Sequence, residues 1–401
     1  MSRPHRGAQR YTSILILTLL AIEFLDEFVF GIREAAWPLI RADLGLDYAQ
    51  IGLLLGVPSV VSGLVEPALG ILGDVWRRRL LILGGGAVFA LALLMTALSP
   101  GFLALLTAFI LLYPASGAFV TLSQATMMDV DAARHEHNMA RWTFAGSLGV
   151  VIGPLALGAA AAVGLPGWRG LFGLSAALTL ILLALAWRSQ VAHRHAGFQE
   201  RGFRTGVADA LRALRRGEVL RWLTLLECSD LMLDVLLGLL ALYLVDVGGA
   251  GPHQAGAAVA VWTGLGLVGD LLVIPLLERV RGLAYLRFSA AVELVVFSVF
   301  LLVQSFQAKL ALLGLLGLFN AGWYSVLQAQ LYSAMPGRSG TVMTVGNVFG
   351  VVGGLIPLGL GLVAQRFGLG VTMWLLLLGP IALLVGTPKE RSTPPEDAEV
   401  S

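Results

Sequence analysis

The sequence predicts an all-α polytopic membrane protein, with twelve transmembrane helices in two pseudo-symmetric six-helix bundles. Three observations predict it. The 401-residue chain is 57% hydrophobic and only 13% charged, whereas a soluble domain is about a quarter charged. Apolar runs of about 20 residues, long enough to cross a bilayer, recur along its length. Four pairs of the few acidic residues in or beside those runs repeat at one offset.

The runs fall at 12–39, 48–73, 79–98, 102–128, 139–163, 169–187, 220–246, 254–277, 284–304, 308–333, 341–364 and 370–387. In lipid only helices or closed barrels satisfy the backbone, and runs this long are helices. Short turns rich in Gly and Pro join them, such as Ser99-Pro100-Gly101. The basic start at Arg3, Arg6 and Arg10, followed by an apolar run, superficially resembles a signal peptide. Carboxylates at 23–27 argue against cleavage, so the first run is expected to stay as a spanning helix.

An offset of 204 residues carries Glu23 onto Glu227, Asp26 onto Asp230, Glu66 onto Asp270 and Asp74 onto Glu278. Pro154-Leu-Ala-Leu-Gly158 matches Pro357-Leu-Gly-Leu-Gly361 at an offset one residue shorter. Such halves read as parallel repeats about an axis along the membrane normal, with a site between them near mid-membrane. The expected organisation is an N-terminal bundle over 1–187, a basic cytoplasmic linker over 188–219, a C-terminal bundle over 220–388 and a disordered cytoplasmic tail over 389–401. Within the linker, 206–216 reads as a short amphipathic helix on the inner membrane surface.

Lys and Arg set orientation. With the N-terminus inside, the cytoplasmic face receives Arg3, Arg6, Arg10, Arg77, Arg78, Arg79, Arg134, Arg141, the arginines of 188–221, Arg279, Arg281, Arg287, Arg338, Lys389 and Arg391. The other face receives only Arg33, Arg41, Arg169, Lys309 and Arg366. The expectation is a multi-pass protein of the cytoplasmic membrane with both termini cytoplasmic.

Carboxylates inside a membrane are costly, about 2.5–3.5 kcal/mol each on insertion scales, and usually mark function. Glu23, Asp26 and Glu27 stand at i, i+3, i+4, which is one helix face. Glu227, Asp230 and Asp234 stand at i, i+3, i+7, again one face. These six are the candidate substrate- and proton-binding residues. Crowded carboxylates in a low dielectric do not all stay ionised, which suits reversible protonation. Their field also favours cations. Glu66 and Asp270 read equally as structural, and Glu293 as structural or at the lipid edge. Gln124, Trp142, Trp262, Asn320, Tyr324, Gln328 and Asn347 are candidate cavity lining, the aromatic rings offering faces to an organic cation.

The helix 2–3 junction reads Gly70-Ile-Leu-Gly-Asp74-Val-Trp-Arg77-Arg78-Arg79. With twelve helices, a six-plus-six split and a basic central loop, it resembles the major facilitator superfamily, whose signature there is G-x-L-x-D-R-x-G-R-[RK]. Gly70, Leu72, Asp74, Arg78 and Arg79 match. Val75 and Arg77 depart from it. The resemblance implies a gating loop of Gly70, Asp74, Arg78 and Arg79, extended by Asp129 and by the second copy at Glu278, that latches the cytoplasmic side. Helix 5 carries Gly146, Gly149, Gly153-Pro154 and Gly158, similar to the signature of the family's drug/proton antiporters except that Leu157 takes a Gly position. Gly149, Gly153, Pro154 and Gly158 also suit close helix packing. Those exporters carry an arginine in helix 4 four residues before a glycine; here Tyr113 precedes Gly117. Tyr48-Ala-Gln-Ile-Gly-Leu is similar to fosmidomycin-resistance-type exporters of the superfamily.

The expected function is secondary active transport by alternating access, as proton-coupled efflux of a cationic or amphipathic compound by a monomer. The alternatives are a cation-coupled importer, a metal-ion exporter or a non-transporting receptor. The expected partners are a small-molecule substrate, protons and the lipid bilayer, with no nucleic acid. No cofactor and no resident metal are expected, since His135, His137, His193 and His195 fall in loops as incomplete ligand sets. The sequence has no phosphate-binding loop, nucleophile elbow or zinc-hydrolase motif, so an enzyme is not expected.

Overall fold

The computed structural model describes residues 6–75, 78–130, 135–162, 167–188, 212, 214–335, 345–346 and 349–388. Among these residues every regular element is a helix. They form α1 (Arg6–Leu44), α2 (Tyr48–Val75), α3 (Arg78–Leu98), α4 (Phe102–Met128), α5 (His135–Ala162), α6 (Gly167–Arg188), α7 (Gly217–Asp246), α8 (Pro252–Leu277), α9 (Gly282–Leu302), α10 (Phe306–Ala334), α11 (Phe349–Phe367) and α12 (Leu369–Gly386). Eleven of them, α2 to α12, are long and apolar enough to cross a membrane. The remaining one, α1, has charges at its centre, and its 39 residues outrun the ~30 Å hydrocarbon core at ~1.5 Å each. The linker run 206–216 lies mostly outside the described residues, as does the tail from 389.

Glycine decides how closely some helices approach, because a missing Cβ lets backbones meet. Along α1 and α5 the pairs interlock. A Cβ on Gly153 would sit 2.6 Å from the carbonyl oxygen of Phe28, and one on Gly31 would sit 2.6 Å from that of Val150. Gly149 likewise faces the α1 backbone at Phe24 and Phe28, whereas a Cβ on Gly158 would meet open space. Replacing Gly153 by Val forces α1 and α5 apart. Overpacking of this kind costs about 1–3 kcal/mol, so the detergent-purified variant should melt several degrees below the parent, and an unchanged melting curve would refute this packing.

The two halves meet along α1–α7, α2–α11 and α5–α8. The α2–α11 contact is a glycine seam. A Cβ on Gly52 would lie 2.8 Å from the Pro357 carbonyl, one on Gly56 2.6 Å from that of Gly354, and one on Gly361 2.6 Å from that of Tyr48. At the same end, Asp246 Oδ2 accepts from Arg41 Nη1 at 2.8 Å and from the Tyr48 hydroxyl at 2.8 Å. The Tyr48 backbone N–H donates to Gln365 Oε1 at 3.0 Å. The ends of α1 and α7 and the ends of α2 and α11 are thereby tied together.

Among the described residues five spans are interrupted, α11 and α12 only by short turns at 354–355 and 376–377. In α4 a π-helical turn covers Gly117–Thr121. The α7 helix breaks over 231–233, and α10 breaks at Ala321 and Gly322, where Gly322 has φ 74°. The 204-residue offset carries Gly117 onto Ala321, so the α4 and α10 irregularities are equivalent positions of the repeat.

Candidate functional site

The polar stripe of α1 is longer than its three carboxylates. At ~100° per residue, Glu23, Asp26, Glu27, Phe30, Arg33 and Glu34 share one side of the helix. Sequence reasoning placed Arg33 near a membrane face. The structure buries it, at 7% exposure, and makes it the basic centre of the site. Arg33 Nε donates to Glu34 Oε1 at 2.7 Å, Nη2 donates to the same oxygen, and Nη1 donates to the Tyr113 hydroxyl. The guanidinium lies 4.7 Å from the centre of the Phe30 ring and 5.1 Å from that of Tyr113. Glu34, at 2% exposure, also accepts from Trp37 Nε1 at 2.9 Å on Oε2. Tyr113, which stands in α4 four residues before Gly117, thus accepts from Arg33 of α1.

The α1 carboxylates separate into two environments. Glu23 is buried against α5, where Trp142 hydrogen-bonds it and a Cβ on Gly146 would lie 2.6 Å from its Oε1. Glu27 packs beside Gly146 and Gly149. Asp26 turns toward α4, where the Ser116 hydroxyl donates to its Oδ1 at 2.9 Å. Asp26 lines a cavity of about 180 Å³ inside the first six helices, with Arg33, Ser62, Glu66, Tyr113 and Ser116. The Ser62 hydroxyl donates to Glu66 Oε1 at 2.6 Å. Glu66 also packs over Gly117, at the start of the π turn.

A second cavity, of about 230 Å³, lies between the halves. Its α1, α2 and α4 wall has Phe30, Arg33, Glu34, Leu55, Ser59 and Tyr113. Its α7 and α11 wall has Glu227, Asp230, Asp234, Val235, Gly350, Gly353, Gly354 and Pro357. Glu227 presses so closely on Gly353 that a Cβ there would overlap its carboxylate. The α7 break lies between Asp230 and Asp234, yet both still line this cavity. Asp234 feels Glu34 and Arg33 across the gap, and Arg33 lines both cavities.

The other candidates are dispersed. Asn320 and Tyr324 line a third cavity with Asp270, at the α10 break. There Asn320 Nδ2 donates to the Met232 carbonyl at 3.3 Å, and the Gly322 N–H donates to Asp270 Oδ1 at 3.0 Å. Trp262 is buried on α8. Gln124 and Gln328 are half-buried and line neither of the first two cavities. Asn347 and the side chains of Asp74 and Asp129 lie outside the described residues. Of the gating-loop candidates, Gly70 is in α2 and Glu278 is exposed at the end of α8. Arg79 Nη2 donates to the Trp187 carbonyl at 2.7 Å, which ties α3 to α6. Glu293 is fully buried, and among the described residues neither carboxylate oxygen has a hydrogen-bond partner. Among the described residues, no group of three His, Cys, Asp or Glu side chains converges as a metal site.

Sequence reasoning missed Arg33, Glu34 and the glycines of α11. The stripe at i+7, i+10 and i+11 from Glu23 was the available signal for the first two.

Spanning helices that enclose polar cavities within and between the halves of a repeat define a membrane transporter of small molecules. The chain belongs to the Major Facilitator Superfamily, whose family model matches residues 19–358. It is 30% identical over 175 residues to the chloramphenicol resistance protein of Pseudomonas aeruginosa, a match covering 43% of this chain and 41% of that protein. The chain thus spans less than half the length of that relative. It is 23% identical over 365 residues to the fosmidomycin resistance protein of Escherichia coli K12, covering 88% of this chain and 87% of that one. In fold it is similar to a bacterial homolog of the human lysosomal transporter Spinster in an inward-facing, unoccupied conformation, with TM-score 0.75 at 15% identity over 96% of both chains. It is also similar to the nucleoside transporter NupG, with TM-score 0.73 at 15% identity over 92% of this chain and 97% of that one. At such identities the likeness is one of fold alone.

Proposed function

We propose that this transporter is a monomeric, proton-coupled exporter of a cationic or amphipathic small molecule in the cytoplasmic membrane, with both termini cytoplasmic. The observation that carries the proposal is the cavity between the halves, where three carboxylates of α7 face α1 and one basic side chain, Arg33, lines the opposite wall. A cavity so charged attracts cations and stores protons. Of the α1 carboxylates, Glu27 feels Asp234 of this cavity and Asp26 lines the neighbouring cavity that shares Arg33, so proton and substrate compete through shared charge. The Lys and Arg distribution supports the orientation, and the end tied by Asp246 and the glycine seam then faces outward. On that orientation the structure is inward-facing, and residues 1–187 and 220–388 are the two bundles that rock about the cavity, joined by 188–219.

The names of the two resistance proteins supply the first compounds to try. In proteoliposomes, an acid-inside pH gradient should drive uptake of an organic cation into vesicles whose protein turns its cytoplasmic face to the bath, with chloramphenicol and fosmidomycin as uncharged and anionic comparators. Collapsing the gradient with a protonophore should abolish that flux. Flux that ignores the gradient would refute proton coupling, and flux of fosmidomycin alone would refute the preference for cations.

A further inference from the structure

The two walls of the interface cavity differ in a way that constrains what fits between them. On the first wall the charge of Glu34 is already answered. Oε1 receives two N–H groups of Arg33, Oε2 receives Trp37 Nε1, and Oε2 packs near Gly238 of α7. Glu34 thus has three of its roughly four acceptor sites filled and its charge matched by Arg33, which leaves it a poorer partner for a ligand's ammonium than Glu227 or Asp230. Arg33 is held by Glu34, by Tyr113 and by two ring faces, so its position is fixed. A guanidinium carries five N–H donors. Three are used in these bonds, and one on each terminal nitrogen remains for a partner in the cavities that Arg33 lines. A hydrogen bond from a fixed, poorly solvated cation is among the stronger kinds.

The second wall is the reverse. Among the described residues no basic side chain or hydrogen bond offsets the charge of Glu227 or Asp230; Asp230 faces further negative charge from Asp234 and Glu227, with the Tyr324 hydroxyl in its neighbourhood. Only Asp234 is within the influence of Arg33. The cavity thus has a donor pole at Arg33 and an acceptor pole at Glu227 and Asp230. At about 230 Å³ it is also smaller than the roughly 300–1,000 Å³ usual for drug-sized ligands.

From this polarity we infer that the site takes a compact amine that also bears a hydrogen-bond acceptor such as a carbonyl. The ammonium is directed to Glu227 and Asp230 of α7, and the acceptor to Arg33 of α1. This rests on the cavity being the transport site, and it narrows a general preference for cations to a two-headed substrate class. A ligand spanning both walls also touches both halves at once, which gives it the leverage to change how they pack.

Three compounds on one skeleton test the inference by equilibrium binding to the purified full-length protein. Phenylalaninamide carries both groups, phenethylamine lacks the acceptor, and 3-phenylpropanamide lacks the ammonium. The wild type should bind phenylalaninamide about tenfold or more tightly than either of the others, the size of one hydrogen bond to a charged group. Arg33→Gln should bring phenylalaninamide down to the level of phenethylamine. Glu227→Gln combined with Asp230→Asn should bring it down to the level of 3-phenylpropanamide. Equal binding of phenethylamine and phenylalaninamide by the wild type overturns the inference, with no variant needed. So does a failure of all three to bind at millimolar concentration. The assay measures no flux, so a missing proton gradient effect in vesicles would count against proton coupling and leave this result standing.

Discussion

Asp26→Asn should abolish concentrative transport while leaving the protein folded. The amide has the shape of the carboxyl it replaces, and its oxygen can still accept the Ser116 hydroxyl that now donates to Oδ1 at 2.9 Å. What the substitution removes is the capacity to bind and release a proton beside Glu66 and Arg33, in the cavity the three share. Coupling between two sites is worth about 1–3 kcal/mol. Pump activity against a gradient should therefore fall about five- to 150-fold, with facilitated exchange between equal pools retained. Glu23→Gln should act in the same direction, with a packing penalty of its own, because Glu23 is 8% exposed and wedged against Trp142 and Gly146. The measurement is uptake in proteoliposomes with and without a pH gradient. Undiminished gradient-driven uptake by both variants would remove the α1 carboxylates from the coupling mechanism.

A comparably large effect is expected at the closed end. Asp246 holds Arg41 and Tyr48 through one oxygen, and the half-exposed ion pair by itself is worth only ~0.2–1 kcal/mol. Together with the tyrosine hydrogen bond, the tie between α1, α2 and α7 amounts to about 1–2 kcal/mol. Asp246→Asn should shift the balance of conformations roughly five- to thirtyfold toward opening at this end. The glycine seam gives a steric version of the same test, since Gly361→Val drives a side chain into the Tyr48 carbonyl. A cysteine at Ser59, in a Cys228→Ser background, reports the change. An impermeant thiol reagent on the outer side should label it several-fold faster in either variant. Equal labelling in parent and variants would mean that these contacts do not hold the end closed.

Hydropathy and the repeat were enough to locate the spans, because a bilayer demands long apolar helices wherever it is crossed. Observed helices overlap all twelve expected runs. The α1 carboxylates were visible for the same reason, being costly residues in an apolar run. Arg33 and Glu34 were not, because an arginine near the end of an apolar run normally marks the membrane surface. In this chain α1 continues to Leu44, and Glu34, Tyr113, Phe30 and Trp37 provide the partners that make burial tolerable. Of those partners Tyr113 alone comes from another helix, 80 residues away, a distance no local pattern bridges. The breaks in α7 and α10 differ from each other in this respect. Gly322 carries a positive φ that glycine favours, whereas Leu231-Met232-Leu233 contains no residue that would signal an interruption. The division of the α1 stripe, with Asp26 turned to α4 and Glu23 to α5, depends on which small residues the neighbouring helices present. Ser116 and Gly146 are ordinary residues in sequence and become specific only once packed.

The central claim is that buried carboxylates give up protons when substrate arrives. It is tested most directly by adding a saturating transported cation to the purified protein in lightly buffered detergent solution and following a pH indicator. Proton release on binding is predicted. By linkage, the apparent affinity for the cation should then rise with pH, because fewer protons need to be displaced. Release should diminish in the Asp26→Asn protein and again in the Glu227→Gln, Asp230→Asn protein. Binding of the cation with no proton release, and with an affinity independent of pH, would contradict the claim.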